Sequence, residues 1–303
     1  MKIVFMGTPD FAVPCLKILL ENDYDVVGVI TATDKMGGRG GKQLIESAVK
    51  RYAKKQKLNI LQPKNLKNPA FLKELAGLKA DLQIVVAFRM LPVAVWDMPP
   101  LGTVNLHGSI LPKYRGAAPI NWAIINGDKE TGVSTFFLKH EIDTGDLLFV
   151  DKIPILPDDT AGTVHDKLME LGANLILKTV NAISADNYSP TPQDPTLVSK
   201  APKIFTETCE IDWNQSTEKV YNFIRGLSPY PAAWTIFREV NLKIYEARPE
   251  LIEHDYHPGT VLSDYKKYLK FTTKDGIIDV RELKMAGKRK MKVQDFLNGI
   301  KDH

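Results

Sequence analysis

The chain has 303 residues, 44% of them hydrophobic and 25% charged, with a formal net charge of +4. This is an ordinary globular composition with room for two domains, and the charge is too mild to establish a nucleic-acid partner unless it is locally concentrated. The two cysteines, Cys15 and Cys209, lie far apart without metal or redox spacing, which suits a reducing cytosol, and no apolar run is long enough to span a bilayer.

Lys2 to Met6 reads as a short apolar strand, broken by Gly7 and Pro9. The chain enters it directly, with no signal-peptide plan. A helical pattern through Ala12, Leu16, Leu19 and Leu20 follows, then a strand over Val26 to Thr31. This β-α-β opening predicts a parallel, doubly wound α/β sheet of Rossmann-like type. Gly-Thr-Pro after the first strand is not a Gly-x-Gly-x-x-Gly phosphate turn, so NAD is not expected.

Asp34 to Gln43, DKMGGRGGKQ, is a Gly-rich loop carrying Lys35, Arg39 and Lys42. It reads either as a solvated surface loop or as a finger that meets phosphate or an RNA end. Gln43 to Lys57 predicts an amphipathic helix with a basic face. Lys57 to Ile60 leads into a brief strand, and a helix over Phe71 to Gly77 follows. Leu82 to Ala87 is a fully apolar strand suited to the centre of the sheet. Phe88, Arg89, Met90 and Leu91 come next, before Pro92, at the carboxyl end of a strand, where open α/β sheets gather ligands.

Val104 to Pro119, VNLHGSILPKYRGAAP, is the stretch around which the chain is organised. In a strand the side-chain period is two, so Asn105 and His107 share one face. An amide that donates to a developing oxyanion and an imidazole that carries a proton then enter one space, and acyl transfer needs both. Ser109 follows, and Pro112, Gly116 and Pro119 keep the loop out of helix or ladder. A helix is predicted over Pro119 to Asn126 and a strand over Thr131 to Leu138. HEIDTGDLL, with His140 and Asp143, forms the next loop, and Thr163 to Ile183 reads as a long helix with Thr163 as N-cap.

Ser184 to Pro202, SADNYSPTPQDPTLVSKAP, is rich in Pro, Ser and Thr and reads as a linker. Beyond it a helix over Thr217 to Arg225 precedes about five short alternating strands, which predicts a small OB-like β-barrel. The expected domains are therefore 1–188, a linker at 189–205, and 206–303. A basic cluster that includes Lys288, Arg289 and Lys290 ends the barrel, either as a solvated face or as an RNA contact. His254 and His257 are spaced as a metal pair without a third ligand, so no metal is expected.

Asn-x-His, Ser-x-Leu-Pro and Arg-Gly-x-x-Pro in order, followed by HEIDTGDLL, resemble the signature of the folate-dependent formyltransferases. MGTPDFA near the start, GRGGK at 38–42 and SPYPAAW at 228–234 extend the resemblance over nearly the whole chain. Within the family, the similarity is greatest to the branch that formylates methionyl initiator tRNA. The resemblance implies 10-formyltetrahydrofolate as formyl donor, initiator methionyl-tRNA as acceptor, and Asn105, His107 and Asp143 as catalytic residues. It implies a folate site over Ser109, Ile110, Leu111 and Pro112, with Phe88, Arg89, Met90 and Leu91 against the pterin. It implies tRNA contacts from Arg39, Lys42, Lys288, Arg289 and Lys290. Phe88-Arg89-Met90 departs from the Tyr-Gly commoner in that branch and looks more like the glycinamide ribonucleotide branch, which lacks a second domain. A cytoplasmic monomer is expected, with no membrane or DNA partner. The alternatives are a formyltransferase acting on a nucleotide-sugar amine and a non-catalytic tRNA-binding protein. The intact Asn105, His107 and Asp143 argue against the second.

Overall fold

The computed structural model describes residues 1–37, 41 and 43–299. Clustering of the backbone separates two compact units. One comprises Met1–Arg115, Gly132–Lys152 and His165–Lys200, and the other Gly116–Thr131, Ile153–Val164 and Ala201–His303.

The first unit is built on strands β1 (Lys2–Gly7), β2 (Asp25–Ile30), β3 (Lys35–Gly37), β4 (Gln43–Ile45), β5 (Ile60–Leu61), β6 (Leu82–Val86) and β7 (Thr103–His107). Between them run helices α1 (Val13–Glu21), α2 (Ala48–Lys55), α3 (Pro69–Gly77) and α4 (Val93–Trp96). The chain continues through β8 (Arg115–Gly116), α5 (Pro119–Ile125), β9 (Glu130–Phe137), β10 (Leu147–Pro154) and α6 (Ala161–Ser184). The main sheet has seven strands in the order β10-β9-β7-β6-β1-β2-β5. β1 is parallel to β2 and β6, and β6 to β7, whereas β7 runs antiparallel to β9. The apolar runs of β1 and β6 are buried because helices cover the sheet. Chain order reverses between β1 and β6, so a crevice opens beyond their carboxyl ends.

Two local expectations are corrected. The helix predicted over Gln43 to Lys57 begins only at Ala48, because Lys35–Gly37 and Gln43–Ile45 pair as an antiparallel hairpin. The Ser47 hydroxyl then caps the helix by accepting the Lys50 N–H. Helix α6 likewise starts before Thr163, at Ala161. Thr160 Oγ1 accepts the Thr163 N–H, and Thr163 Oγ1 accepts the Thr160 N–H, so the two threonines close a reciprocal box.

After β11 (Lys200–Ala201), which pairs with β8, the second unit continues with α7 (Thr217–Leu227), β12 (Ala233–Phe237), β13 (Val240–Glu250), β14 (Val261–Ser263), β15 (Leu269–Thr272), β16 (Ile277–Met285), β17 (Met291–Lys292) and α8 (Val293–Gly299). Its strands order as β12-β13-β16-β15-β14, with β17 on β16, and the pairings are antiparallel. The hairpin between β12 and β13 turns on Arg238 and Glu239, both in the left-handed region. Val220, Ile224 and Leu227 of α7 and Phe296 of α8 close the concave face over Ile244, Phe271 and Val280. The two architectures are thus a Rossmann-like doubly wound sheet and a curled antiparallel half-barrel of OB-like kind.

Candidate active site

β7 is an interior strand, paired with β6 on one side and β9 on the other, so its register is locked. Asn105 and His107 therefore project to one face, as alternation requires. Asn105 is half-buried, and His107 is 7% exposed. Asp143 arrives from the turn after β9. Its Oδ2 lies 3.8 Å from His107 Nδ1, and its side chain is 11% exposed. The backbone of Asp143 has φ +56°, in the left-handed region, which aspartate tolerates better than most residues.

The other imidazole nitrogen is committed. His107 Nε2 lies 2.8 Å from the Tyr114 carbonyl oxygen. A carbonyl only accepts, so Nε2 carries the hydrogen and Nδ1 is the basic nitrogen of the neutral ring. The resemblance names Asp143 as catalytic, but its 3.8 Å contact with the imidazole is longer than a hydrogen bond. The direct hydrogen bond comes instead from the Tyr114 backbone, which no side-chain pattern announces.

Tyr114 is held by the loop that follows β7. Ser109 is fully buried, and its hydroxyl donates to the Lys113 carbonyl at 2.6 Å. Ser134 on β9 accepts the Leu111 N–H at 3.0 Å and donates to the Ser109 carbonyl at 2.7 Å. Leu111 and Pro112 are buried and Ile110 is half-buried. Ser109 and Leu111 are thus brought beside His107 as parts of a cross-linked loop. Ser134 was not anticipated from the sequence.

Phe88 packs against the core cluster that includes Leu91 and Val95. Arg89 donates to the carbonyls of Pro63 and Lys64. A cavity of about 860 Å³ is lined by Arg89, Met90, Leu91, Trp96 and His140, among others. His140 meets Trp96 edge-on at 5.5 Å, so the turn that carries Asp143 also forms part of this wall. Its volume lies in the range of small-molecule sites, and its wall mixes apolar side chains with Lys64, Lys67 and Arg89.

Arg39 and Lys42 lie outside the described residues. Lys288, Arg289 and Lys290 sit exposed between β16 and β17 in the second unit. Lys290 Nζ lies 2.5 Å from Glu282 and 5.2 Å from the Tyr245 ring centroid. His254 Nε2 donates to the Gly276 carbonyl at 2.8 Å. Among the described residues, no group of three or more His, Cys, Asp and Glu is placed to hold a metal ion.

A formyl transferase family profile matches residues 1–180, and a formyl transferase C-terminal domain profile matches residues 203–301. A protein of Parabacteroides distasonis named methionyl-tRNA formyltransferase is 53% identical, covering 99% of this chain and 96% of that protein. Among solved structures, the N-formyltransferase of Helicobacter canadensis with folinic acid and dTDP-3-aminofucose matches at TM-score 0.72 and 21% identity, covering 96% of this chain and 100% of that one. HypX of Aquifex aeolicus with tetrahydrofolic acid matches at TM-score 0.67 and 20% identity, and this chain, covered completely, spans 48% of its length. With both profiles matched in order and half the residues shared along nearly its full length, this chain belongs to the formyl transferase family.

Proposed function

We propose that this chain transfers a formyl group from 10-formyltetrahydrofolate to the α-amino group of methionyl initiator tRNA, as a cytoplasmic monomer. What supports the reading is the shared face of Asn105 and His107 on β7, the approach of Asp143 to within 3.8 Å of His107, and a cavity whose wall includes His140 of the Asp143 turn. Half-identity over nearly the full length to relatives named for that activity supports the same acceptor.

The folate, when bound, supplies the activated formyl group. Arg89, Met90 and Leu91 would wall its ring on one side, and Trp96 and His140 on the other, with the Ser109–Pro112 loop behind His107. The Asn105 amide donates to the negative charge that develops on the formyl oxygen, a contribution of about 3–4 kcal/mol in comparable sites. A free α-amino group has a pKa near ~8, so a neutral nucleophile is available at physiological pH. His107 Nδ1, the basic nitrogen of the neutral ring because Nε2–H is bonded to Tyr114, takes the proton released as the amine attacks and would return it to the folate N10 as the formyl C–N10 bond breaks, so that tetrahydrofolate leaves neutral and the imidazole is restored. Asp143 stabilises the resulting imidazolium by charge.

In this reading residues 1–188 perform the chemistry, and 206–303 bind the tRNA body through Lys288, Arg289 and Lys290. Arg39 and Lys42 meet the acceptor end. The test is formyl transfer with purified components. N-formyl-methionyl-tRNA should form from methionyl initiator tRNA and 10-formyltetrahydrofolate, and the amino sugar of a nucleotide should not be a substrate. Preferential formylation of the amino sugar would overturn the assignment.

A further inference from the structure

The segment after α6 is tied to both halves of the His107–Asp143 pair. Thr191 and Leu147 exchange two backbone hydrogen bonds, of 2.8 and 2.9 Å. Two residues on, Gln193 Nε2 donates to the Asp143 carbonyl at 2.9 Å and to the Gly145 carbonyl at 2.7 Å. Gln193 Oε1 accepts from Arg115 Nε at 3.1 Å and Nη2 at 2.6 Å. Further along, the Ser199 hydroxyl accepts the Tyr114 N–H and the Ser199 carbonyl accepts the Arg115 N–H, both at 2.9 Å. Tyr114 is the residue whose carbonyl fixes the His107 tautomer. His107, Tyr114, Arg115, Gln193 and Asp143 therefore form one chain of contacts, closed by the 3.8 Å approach of Asp143 to His107, and Gln193 links Arg115 to the Asp143 turn.

We propose that Gln193 is a positioning residue for formyl transfer. Its two N–H donors fix the backbone of the Asp143–Gly145 turn, and its oxygen anchors that turn to Arg115, one residue from the carbonyl that holds His107. The proposal rests on the reading of His107 and Asp143 as the reactive pair. Geometry supports the need for such a brace. Asp143 stands at φ +56°, a conformation that persists only when its surroundings over-determine it. Its carboxylate is 3.8 Å from the imidazole, and a misplacement of about 1 Å in a catalytic group can cost about a hundredfold in rate. Arg115, part of the signature, is then explained as the far anchor of the brace.

Two variants test it. Gln193→Ala removes the donors and the acceptor. Gln193→Glu keeps the volume and the bond to Arg115 but sets a carboxylate against two carbonyl oxygens. Both should lower kcat by about tenfold to a hundredfold, the range of a misplaced catalytic group, with KM for the folate and for tRNA within about twofold. A merely structural loss is separated by a double-mutant cycle in the full chain. In an Asp143→Asn background, either Gln193 change should cost less than about threefold more, because it acts through Asp143. Equal losses in both backgrounds, or wild-type turnover in both Gln193 variants, would overturn the proposal. If Asp143→Asn itself turns over normally, the reading of the reactive pair fails rather than the brace. Should Gln193→Ala not fold, Gln193→Glu alone decides, since a soluble variant with intact Arg115 pairing and normal kcat refutes the role.

Discussion

His107 is held by Tyr114, not by Asp143: its Nε2 sits 2.8 Å from the Tyr114 carbonyl, whereas its Nδ1 is 3.8 Å from the Asp143 carboxylate. The backbone contact sets which nitrogen is basic, and the carboxylate supplies charge. The two roles make different demands on a substitution. Asp143→Asn keeps shape and loses charge, so the imidazole should stay oriented while the protonated form loses its partner.

Asn105 and His107 test the chemistry most directly. Asn105→Ala should reduce kcat by about 10²–10³, the usual cost of removing an oxyanion donor. His107→Ala should collapse turnover, while folate and tRNA affinity remain within a few-fold of wild type. Interactions made only in the transition state behave this way. Steady-state kinetics beside equilibrium folate titration is the measurement. Turnover near wild type in either variant sinks the assignment of that residue.

Ser134 gives a stability prediction. It is fully buried and serves one loop twice, through the Leu111 N–H and the Ser109 carbonyl. Ser134→Ala deletes both bonds at once. The cost should be about 1–3 kcal/mol, the penalty for stranding buried polar groups. Chemical denaturation followed by far-UV dichroism would read it. A midpoint unchanged from wild type would mean that the loop does not depend on Ser134.

The sequence made some of this legible and hid the rest for identifiable reasons. Strands β1 and β6 are apolar apart from Lys2 and Gln83, and Asn105 and His107 alternate with Val104 and Leu106, so period alone revealed a shared face. Asp143 was reachable only through the resemblance, because a turn aspartate before a glycine has many ordinary explanations. Ser134 and Gln193 left no local signal. Each acts through hydrogen bonds to backbone more than twenty residues away, and the polar, Pro-rich surroundings of Gln193 read as linker. Strand β4 falls within the span that reads as helix because Gln43, Leu44 and Ile45 continue an amphipathic pattern into α2, and β3 within the span that reads as loop. What ends that pattern is strand pairing with Lys35–Gly37.

The exposed basic turn of the half-barrel divides its three basic residues between two roles. Lys288 and Arg289 are exposed, whereas Lys290 is shared with Glu282 and the Tyr245 ring. Lys288→Ala and Arg289→Ala should each lower the slope of log K against log salt for tRNA by about 1, the signature of one lost phosphate contact. Lys290→Ala should change it less. Filter binding across a salt series decides, and equal slopes in all three variants would return this turn to a solvated face.

Acid stability of the second unit should depend on Asp275. Its Oδ1 accepts the Thr217 N–H at 2.7 Å and the Thr217 hydroxyl at 2.8 Å, at the first turn of α7. The backbone N–H of Thr217, and then its hydroxyl, hold the carboxyl below the usual carboxylate range. A carboxylate with a depressed folded-state pKa contributes stability that is fully present above its unfolded value, near ~3.9. That contribution is lost as pH falls through the lower folded value. Asp275→Ala should therefore cost about 1 kcal/mol at neutral pH, as for a lost helix cap, and the gap to wild type should close as pH drops below about 4. Thermal unfolding at several pH values is the readout. A gap that stays constant into the acid range would contradict a charge-dependent cap.

Gly145 offers the most stringent test of the turn that carries Asp143. A Cβ built there would lie 1.6 Å from the Phe137 carbonyl oxygen and 2.8 Å from its carbon, contacts no rotamer relieves because both atoms are backbone. The close approach belongs to the stretch where the chain doubles back from β9 to β10, with the Phe137 N–H directed to the Asp146 carbonyl at 3.4 Å. Gly145→Ala must push the turn away from β9, and Asp143, two residues earlier, moves with it. The expected result is a soluble protein with a lowered melting temperature and kcat reduced by at least about tenfold, since small displacements of a reacting group are costly. Gly77→Ala is the control, because no atom lies within 4 Å of the Cβ it would add; on helix α3 it should stabilise by up to about 1 kcal/mol. Wild-type kcat in Gly145→Ala would mean that the Asp143 turn tolerates displacement, and that the His107–Asp143 distance does not govern the rate.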